Sequence, residues 1–267
     1  MKEKFLAIIE KTLDEVLPKE GERPAELSEA MRYAVGTGGK RIRPLICLAS
    51  AVAVGGSAED ARYPAAAIEL LHNYTLVHDD LPAMDNDTER RGKPTVWTKF
   101  GEANAILVGD ALQALAFLAA ADAPRNVGEI VAALGAAGVG VVQGQVEDIA
   151  RACAPGSDVP SVPSVPDVSF IYTHKTADLF IAAATMGGYA GGGTDDDIRA
   201  LHAFALNLGL AFQYEDDLLD GDSPYDRETT ERLARETTSA AVEALSKLPG
   251  DVAFLKTLAG KLLGRKV

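Results

Sequence analysis

Two groups of carboxylates are the residues of this chain best suited to chemistry. The first is Asp79-Asp80-Leu81-Pro82-Ala83-Met84-Asp85, the second Asp216-Asp217-Leu218-Leu219-Asp220. Each closes an apolar run, with Leu70, Leu71 and Val77 before one and Leu208, Leu210 and Phe212 before the other. Acids at the C-terminal end of a helix face the negative end of its dipole and repel one another. Pro82 interrupts the hydrogen-bond ladder, which lets Asp85 fold back toward Asp79. At about 100° per residue, Gln213, Asp216, Asp217 and Asp220 share an arc of roughly 100° on one helix face. Such a set is either solvated surface or a seat for hard cations. Magnesium fits the second reading, because it takes one or two carboxylates and completes its shell with water and phosphate oxygens. Two acidic helices facing each other would hold a diphosphate between them through such ions. Asp195-Asp196-Asp197 is a contrasting case: after Thr194, at a helix start, acids are favourable and imply no function.

Cations answer these acids. Gly38-Gly39-Lys40-Arg41-Ile42-Arg43-Pro44 places three of them after a glycine turn and at a helix start, where free N–H groups and Lys/Arg side chains suit phosphate. Arg90-Arg91-Gly92-Lys93-Pro94 supplies three more just past the first acidic group. His72, two helical turns before Asp79, can point into the same cleft, and Lys175-Thr176 sits on another helix. A lone helical His is often structural and a basic pair often solvated. Here they flank acids and glycine turns, the arrangement that two separate diphosphates need. With 39 acidic and 26 basic side chains the net charge is −13, which argues against nucleic acid as the partner. A small phosphorylated ligand then requires locally concentrated cations or bridging metal.

Positioning these groups falls to helices. Phe5, Ile8/Ile9, Leu13 and Val16 repeat at three-to-four spacing up to Pro18, and Leu27, Met31 and Ala34/Val35 do so up to Gly36-Thr37-Gly38-Gly39. Pro44 suits the first turn of a third helix. Further helical stretches are expected at about 60–81, 103–121, 126–150, 167–189, 195–220 and 228–247, with a short one closing the chain. No alternating strand pattern stands out. Residues 153–166, rich in Pro and Ser, are expected to be a non-helical linker, and Gly187–Gly193 a second break. Neither separates segments of different composition, so the expectation is all-α: one domain over residues 1–267, a helical bundle around a central active-site cavity. Apolar residues at 47% supply a sizeable core. The longest apolar run, Ile130 to Val142, is too short for a bilayer and is expected to be a buried helix. Cys47 and Cys153 have no motif spacing, which argues against disulfides or zinc and for a reducing cytoplasm. Behind Met1-Lys2-Glu3-Lys4 there is no apolar signal core.

Taken together, these segments resemble the trans-prenyl diphosphate synthases (polyprenyl synthetases), the short-chain bacterial farnesyl/geranylgeranyl type in particular. The resemblance runs over nearly the whole chain. It rests on the Gly38–Pro44 and Asp79–Asp85 segments, Arg90-Arg91-Gly92-Lys93-Pro94-Thr95, Phe100-Gly101-Glu102, Gly109-Asp110-Ala111-Leu112, Gly144-Gln145, His174-Lys175-Thr176 and Phe212–Asp220. The paired aspartate motifs in this order are highly specific. The resemblance implies the isoprenoid synthase fold, commonly as a homodimer, and an enzyme that condenses isopentenyl diphosphate with an allylic diphosphate. It implies that Lys40, Arg43, His72 and Arg91 hold isopentenyl diphosphate, and that Arg90, Lys175, Thr176 and Gln213 hold the allylic diphosphate. Asp79, Asp85 and Asp216 would be the main Mg2+ ligands, assisted by Asp80 and Asp220, and Asp79, Asp85, Lys175 and Asp216 the catalytic set. Charge on the leaving diphosphate is neutralised, the allylic C–O bond ionises, and the double bond of isopentenyl diphosphate attacks the cation before a proton is lost. No protein nucleophile is needed, in keeping with the lack of a Ser/His/Asp or Cys/His motif. Tyr74, five residues before Asp79, and the small Thr75 would set chain length. The aromatic residue resembles the farnesyl-producing pattern and implies a fifteen-carbon product, with a twenty-carbon product as the alternative.

Two departures bear on this. Relatives carry a lysine in the loop after the second motif, whereas here Asp220-Gly221-Asp222-Ser223-Pro224-Tyr225-Asp226-Arg227 runs almost directly into the next helix, with Arg227 as the available substitute. Trp97 stands where a His is expected. They keep open a catalytically weak or regulatory subunit that binds prenyl diphosphates. A terpene cyclase is disfavoured by the Gly38–Pro44 segment and Arg91.

Overall fold

A computed structural model describes residues 1–152, 165–221 and 223–262. The described residues are helical almost throughout, as the periodicity implies. α1 (Lys2–Val16) and α2 (Ala25–Gly36) lead to α3 (Ile42–Ala53), whose first turn holds Pro44 and which is buried over most of its length. α4 (Arg62–Asp79) runs through the centre, with Ala65, Ala66, Ala67, Ile68, Leu70 and Leu71 fully enclosed. A two-residue-per-strand hairpin follows, β1 (Glu89–Arg90) against β2 (Lys93–Pro94), with Arg90 opposite Lys93. Its turn residues, Arg91 and Gly92, both have positive φ (56° and 74°), the geometry of a tight two-residue hairpin turn. The pattern along the chain shows no strand here because two residues are too few to alternate.

The short α5 (Val96–Phe100) is a further element outside the sequence expectation. α6 (Glu102–Ala121) and α7 (Val127–Ala152) come next. α8 (Val165–Ile171), a π-helical turn (Tyr172–Ala177) and α9 (Asp178–Gly191) then form a helical run in place of a single α-helix over 167–189. α10 (Asp195–Asp220) opens on a capping box in which Thr194 accepts from Asp197, as its sequence indicates. α11 (Arg227–Ala244) and α12 (Ala253–Leu262) close the described chain. α4 packs on α6, α3 on α9, and α10 on both α9 and α11.

Three expectations need correction or limits. The glycine cluster does not break the chain at Gly187. α9 continues to Gly191, and only Gly192, at φ 82°, turns it. Gly187 lies against the Cys47 carbonyl and Gly191 against Ala51 of α3, so these glycines serve close helix approach. Of the Pro/Ser linker, residues 153–164 lie outside the described residues, as does Cys153, while Val165 and Pro166 already belong to the first turn of α8. Nor is α7 wholly buried: Ile130, Leu134, Ala137 and Val141 face the core, but Val139 is 61% exposed, and Val142 and Val146 are exposed too.

Candidate active site

Arg41, Arg43 and Lys40 leave the glycine turn in three different directions. Arg41, left-handed at φ 50°, turns inward. It pairs with Glu69 and Glu10 at 2.8 Å each and donates to the Val35 carbonyl at 2.9 Å. That makes it an anchor of the fold. Arg43 lies over the Phe180 ring, 5.0 Å from its centroid, and contacts His72 Nε2 at 3.3 Å. Lys40 is exposed at the rim. Arg91 donates to the Gly38 carbonyl, which ties the hairpin turn to the glycine turn.

These groups converge. A cavity of about 650 Å³ is lined by Lys40, Arg43, His72, Arg90 and Arg91, with Asp216 in its wall and Ile42, Leu76 and Phe212 as apolar surface. Arg43 Nε and His72 Nδ1 are buried without a hydrogen-bond partner among the described residues. Burial and the nearby Arg91 pull the Arg43 guanidinium down to about 10, despite Glu69. Burial and then Arg43, Arg91, Arg90 and Arg41 hold His72 well below its usual range, so the imidazole is neutral at pH 7. Crowded cations with unspent donors suit a polyanion.

The first acidic group closes as Pro82 implies, with the Asp85 N–H donating to the Asp79 carbonyl at 2.9 Å. Burial pushes the Asp79 carboxyl up to about 6. Asp85 and Asp80 add to the shift, and Lys175 and Arg90 oppose it. Asp80 is buried and bound to Arg90 through Nη2 at 2.6 Å and Nε at 2.7 Å. Asp85 and Asp220 are exposed at the ends of their segments. Among the described residues no three carboxylate, His or Cys side chains form a ready metal cage. The donor set still fits magnesium: an undercompensated carboxylate at Asp79, exposed Asp85 and Asp220, and Asp216 in the cavity wall offer hard oxygens of the kind that cation takes beside phosphate.

Lys175 reaches Asp148 at 2.5 Å, and its charge is felt at Asp79. Thr176 donates to Gln213 Oε1 at 2.9 Å. Asp217, also buried, accepts from Gln213 Nε2 at 2.9 Å and from the Tyr172 hydroxyl. Gly144 of α7 lies against the backbone N of Lys175, and Gly209 of α10 comes within 2.6 Å of Ala177, measured from where a Cβ would stand. The π-turn that carries Lys175 and Thr176 is thus clamped on both sides. Arg227, the available substitute for a loop lysine, is 80% exposed and paired with Glu231 on its own helix. Tyr74 and Thr75 do not line this cavity. The Tyr74 ring stands edge-on to His78 at 5.1 Å with its hydroxyl near Gln113, and Thr75 bonds the His72 carbonyl. Sequence reasoning missed Asp148, Tyr172 and Glu69. Only Asp148 left a signal, standing four residues after Gly144 on the same helix face.

The family model of polyprenyl synthetases matches residues 24–234. The chain belongs to that family. A heterodimeric geranylgeranyl pyrophosphate synthase large subunit of Arabidopsis thaliana is 44% identical over 224 residues, 80% of this chain and 58% of that protein. A geranylgeranyl pyrophosphate synthase of Capsicum annuum is 40% identical over 96% of this chain and 65% of its own length. The polyprenyl synthetase chain therefore spans somewhat under two thirds of these curated relatives. Among solved structures, an FPP/GFPP synthase from Zymomonas mobilis superposes with a TM-score of 0.89 at 34% identity, covering 98% of each chain. The geranylgeranyl pyrophosphate synthetase of Pyrococcus horikoshii gives 0.85 at 30% identity over 99% of each.

Proposed function

We propose that this chain is a magnesium-dependent trans-prenyltransferase that condenses isopentenyl diphosphate with an allylic diphosphate, ending at geranylgeranyl diphosphate. The carrying observation is the cavity of about 650 Å³ in which six basic or imidazole side chains stand with Glu69 and Asp216 and adjoin Asp79. Its volume suits a small ligand. The names of the relatives favour the twenty-carbon alternative over the fifteen-carbon product implied by Tyr74. Tyr74 of α4 turns its hydroxyl toward Gln113 of α6, at the seam between the two helices.

In this reading Lys40, Arg43, His72 and Arg91 hold the isopentenyl diphosphate, with neutral His72 donating from one ring nitrogen. Asp79, Asp85 and Asp216 hold magnesium, and Asp220 assists through water. Magnesium, when bound, supplies positive charge to the leaving diphosphate. Arg90 and Lys175, released from Asp80 and Asp148, add their charge as the allylic C–O bond breaks. Phe212, Ile42 and Leu76 exclude water from the cation until the double bond attacks. The proton lost afterwards goes to the released diphosphate. Residues 1–267 form one domain in this reading, supported by the packing of α1 on α3 and α4 and of α12 on α3 and α10. An exposed apolar face, including Ile106, Leu107 and Leu118 of α6 and Val142 and Val146 of α7, supports a paired subunit, identical in the simplest case. The buried free thiol of Cys47 suits a reducing cytoplasm.

Purified protein with magnesium and labelled isopentenyl diphosphate, offered dimethylallyl, geranyl or farnesyl diphosphate separately, should give twenty-carbon product from each, sized by mass spectrometry. Folded protein that binds these ligands and makes nothing would sink the enzyme reading and favour a non-catalytic subunit.

A further inference from the structure

Tyr172 belongs to no motif singled out in the sequence, yet it ends a chain of hydrogen bonds between two helices. Its hydroxyl donates to Asp217 Oδ2, Gln213 Nε2 donates to Asp217 Oδ1, and Thr176 Oγ1 donates to Gln213 Oε1. Tyr172 and Thr176 are four residues apart in the π-turn, Gln213 and Asp217 four apart in α10, so two turns face each other and close a ring. Tyr172 and Asp217 are only 6% and 5% exposed. We propose that Tyr172 is a positioning residue for the allylic half-site: by holding Asp217 it fixes the carboxamide of Gln213, and through it the hydroxyl of Thr176, in a single orientation. This rests on the prenyltransferase reading above.

The direction of the chain follows from donor chemistry. An ionised carboxylate only accepts, so the amide nitrogen of Gln213 must face Asp217 and its oxygen must face Thr176. The Tyr172 phenol stays protonated, because burial and the Asp217 carboxylate both raise its pKa far above the usual range. Thr176 spends its hydrogen on Gln213 and has only lone pairs left to offer. In this arrangement it turns those lone pairs toward the half-site.

Packing keeps Tyr172 in place. Its ring stands edge-on to Tyr214 at 5.7 Å, and Tyr214 to Tyr225 at 6.4 Å, within a satellite core that includes Val168, Ile171 and Ala234. Tyr225 comes from the short connection between α10 and α11, so that connection contributes an aromatic brace behind Asp217. Without the Tyr172 hydroxyl, Asp217 keeps the Gln213 amide but loses a fixed donor, which loosens the orientation it passes to that amide.

Tyr172→Phe removes the hydroxyl and keeps the ring. The variant should lose about 10- to 100-fold in kcat, the worth of a hydrogen bond to a charged group, with the KM for isopentenyl diphosphate within about twofold of the parent. It should also release more allylic substrate as prenyl alcohol: water adds to the allylic carbon as the C–O bond breaks, leaving alcohol, diphosphate and a proton. Tyr225→Ala, which loosens the brace and leaves the hydroxyl, should lower the melting temperature with a smaller kcat loss and no extra alcohol. A Tyr172→Phe enzyme with kcat within twofold of the parent would overturn the proposal, as would equal losses and equal alcohol from both variants. A readout without turnover separates this from failure of the enzyme reading. The Gln213 side-chain NH₂ signal, assigned by NMR, should exchange slowly with solvent in the parent and at least tenfold faster in Tyr172→Phe; equal exchange refutes the positioning role even if no prenyl product forms.

Discussion

Replacing Asp79 with Asn should stabilise the metal-free protein while removing its activity. Burial, then Asp85 and Asp80, raise the Asp79 carboxyl from 3.8 to about 6 in the fold, against the pull of Lys175 and Arg90. A rise of about two units at about 1.36 kcal/mol each is at most about 3 kcal/mol, and solvent screening of a partly exposed group reduces it to about 1–2 kcal/mol. Because the folded state binds this proton more tightly than the unfolded chain, the cost is absent below about pH 4, grows between pH 4 and 6, and is complete above that window. Thermal melts in EDTA should therefore place Asp79→Asn about 2–8 °C above the parent at pH 7.5, and the gap should close toward pH 4. Asparagine keeps the shape and leaves the Asp85 N–H to Asp79 carbonyl bond intact. With magnesium and a non-hydrolysable diphosphate analogue the order should reverse, since only the parent gains from the cation. A variant less stable than the parent in EDTA at pH 7.5, or a gap that ignores pH, would refute this account of the acidic group.

Tyr74→Ala should lengthen the product by at least one five-carbon step, read by mass spectrometry; an unchanged length would show that the ring at the α4–α6 seam is not the stop. Glu69→Ala should cost about 2–4 kcal/mol in urea unfolding, because it removes the buried acidic partner of Arg41 and leaves Glu10 to balance its charge, whereas loss of the half-exposed second partner in Glu10→Ala should cost under about 1 kcal/mol. Gly144→Ala should lower both stability and turnover by displacing the Lys175 backbone, while Gly135→Ala on the same helix, whose nearest neighbour is Phe117 at 3.7 Å, should be neutral or gain up to about 1 kcal/mol in helix propensity.

The helical framework was legible because it depends on local rules. Thr194 with Asp197 marked a helix start, and Pro82 marked the place where the chain turns back to bring Asp85 to Asp79. Where one residue type serves two physical ends, the sequence was ambiguous. Gly187 and Gly192 look alike in a row of letters, but one admits the Cys47 carbonyl and the other adopts φ 82°. Arg41 and Arg43 differ only in which way the left-handed residue 41 sends its side chain, and that is decided by Glu69 and Glu10, about thirty residues away in sequence. The links of Lys175 to Asp148 and of Tyr172 to Asp217 join separate helices and leave no local periodic trace. In α7, Ala, Gly and Val populate both faces, so composition alone could not say which one the core would leave exposed.

The cavity and the acidic group beside it carry opposite electrostatic debts. Arg43 is drawn down toward 10 and His72 well below its usual range because cations crowd together out of water. Asp79 is drawn up toward 6 because carboxylates do the same on the neighbouring helix end. The protein could have cancelled these by letting the arginines meet the aspartates, and it does so at Arg90 with Asp80 and at Lys175 with Asp148. At Arg43 and His72 the orphan nitrogens show that it does not. A diphosphate relieves the basic half and a cation the acidic half, so each should bind more tightly in the presence of the other. By linkage the coupling is reciprocal, which in the proposed reading is how a chain of net charge −13 would hold polyanions.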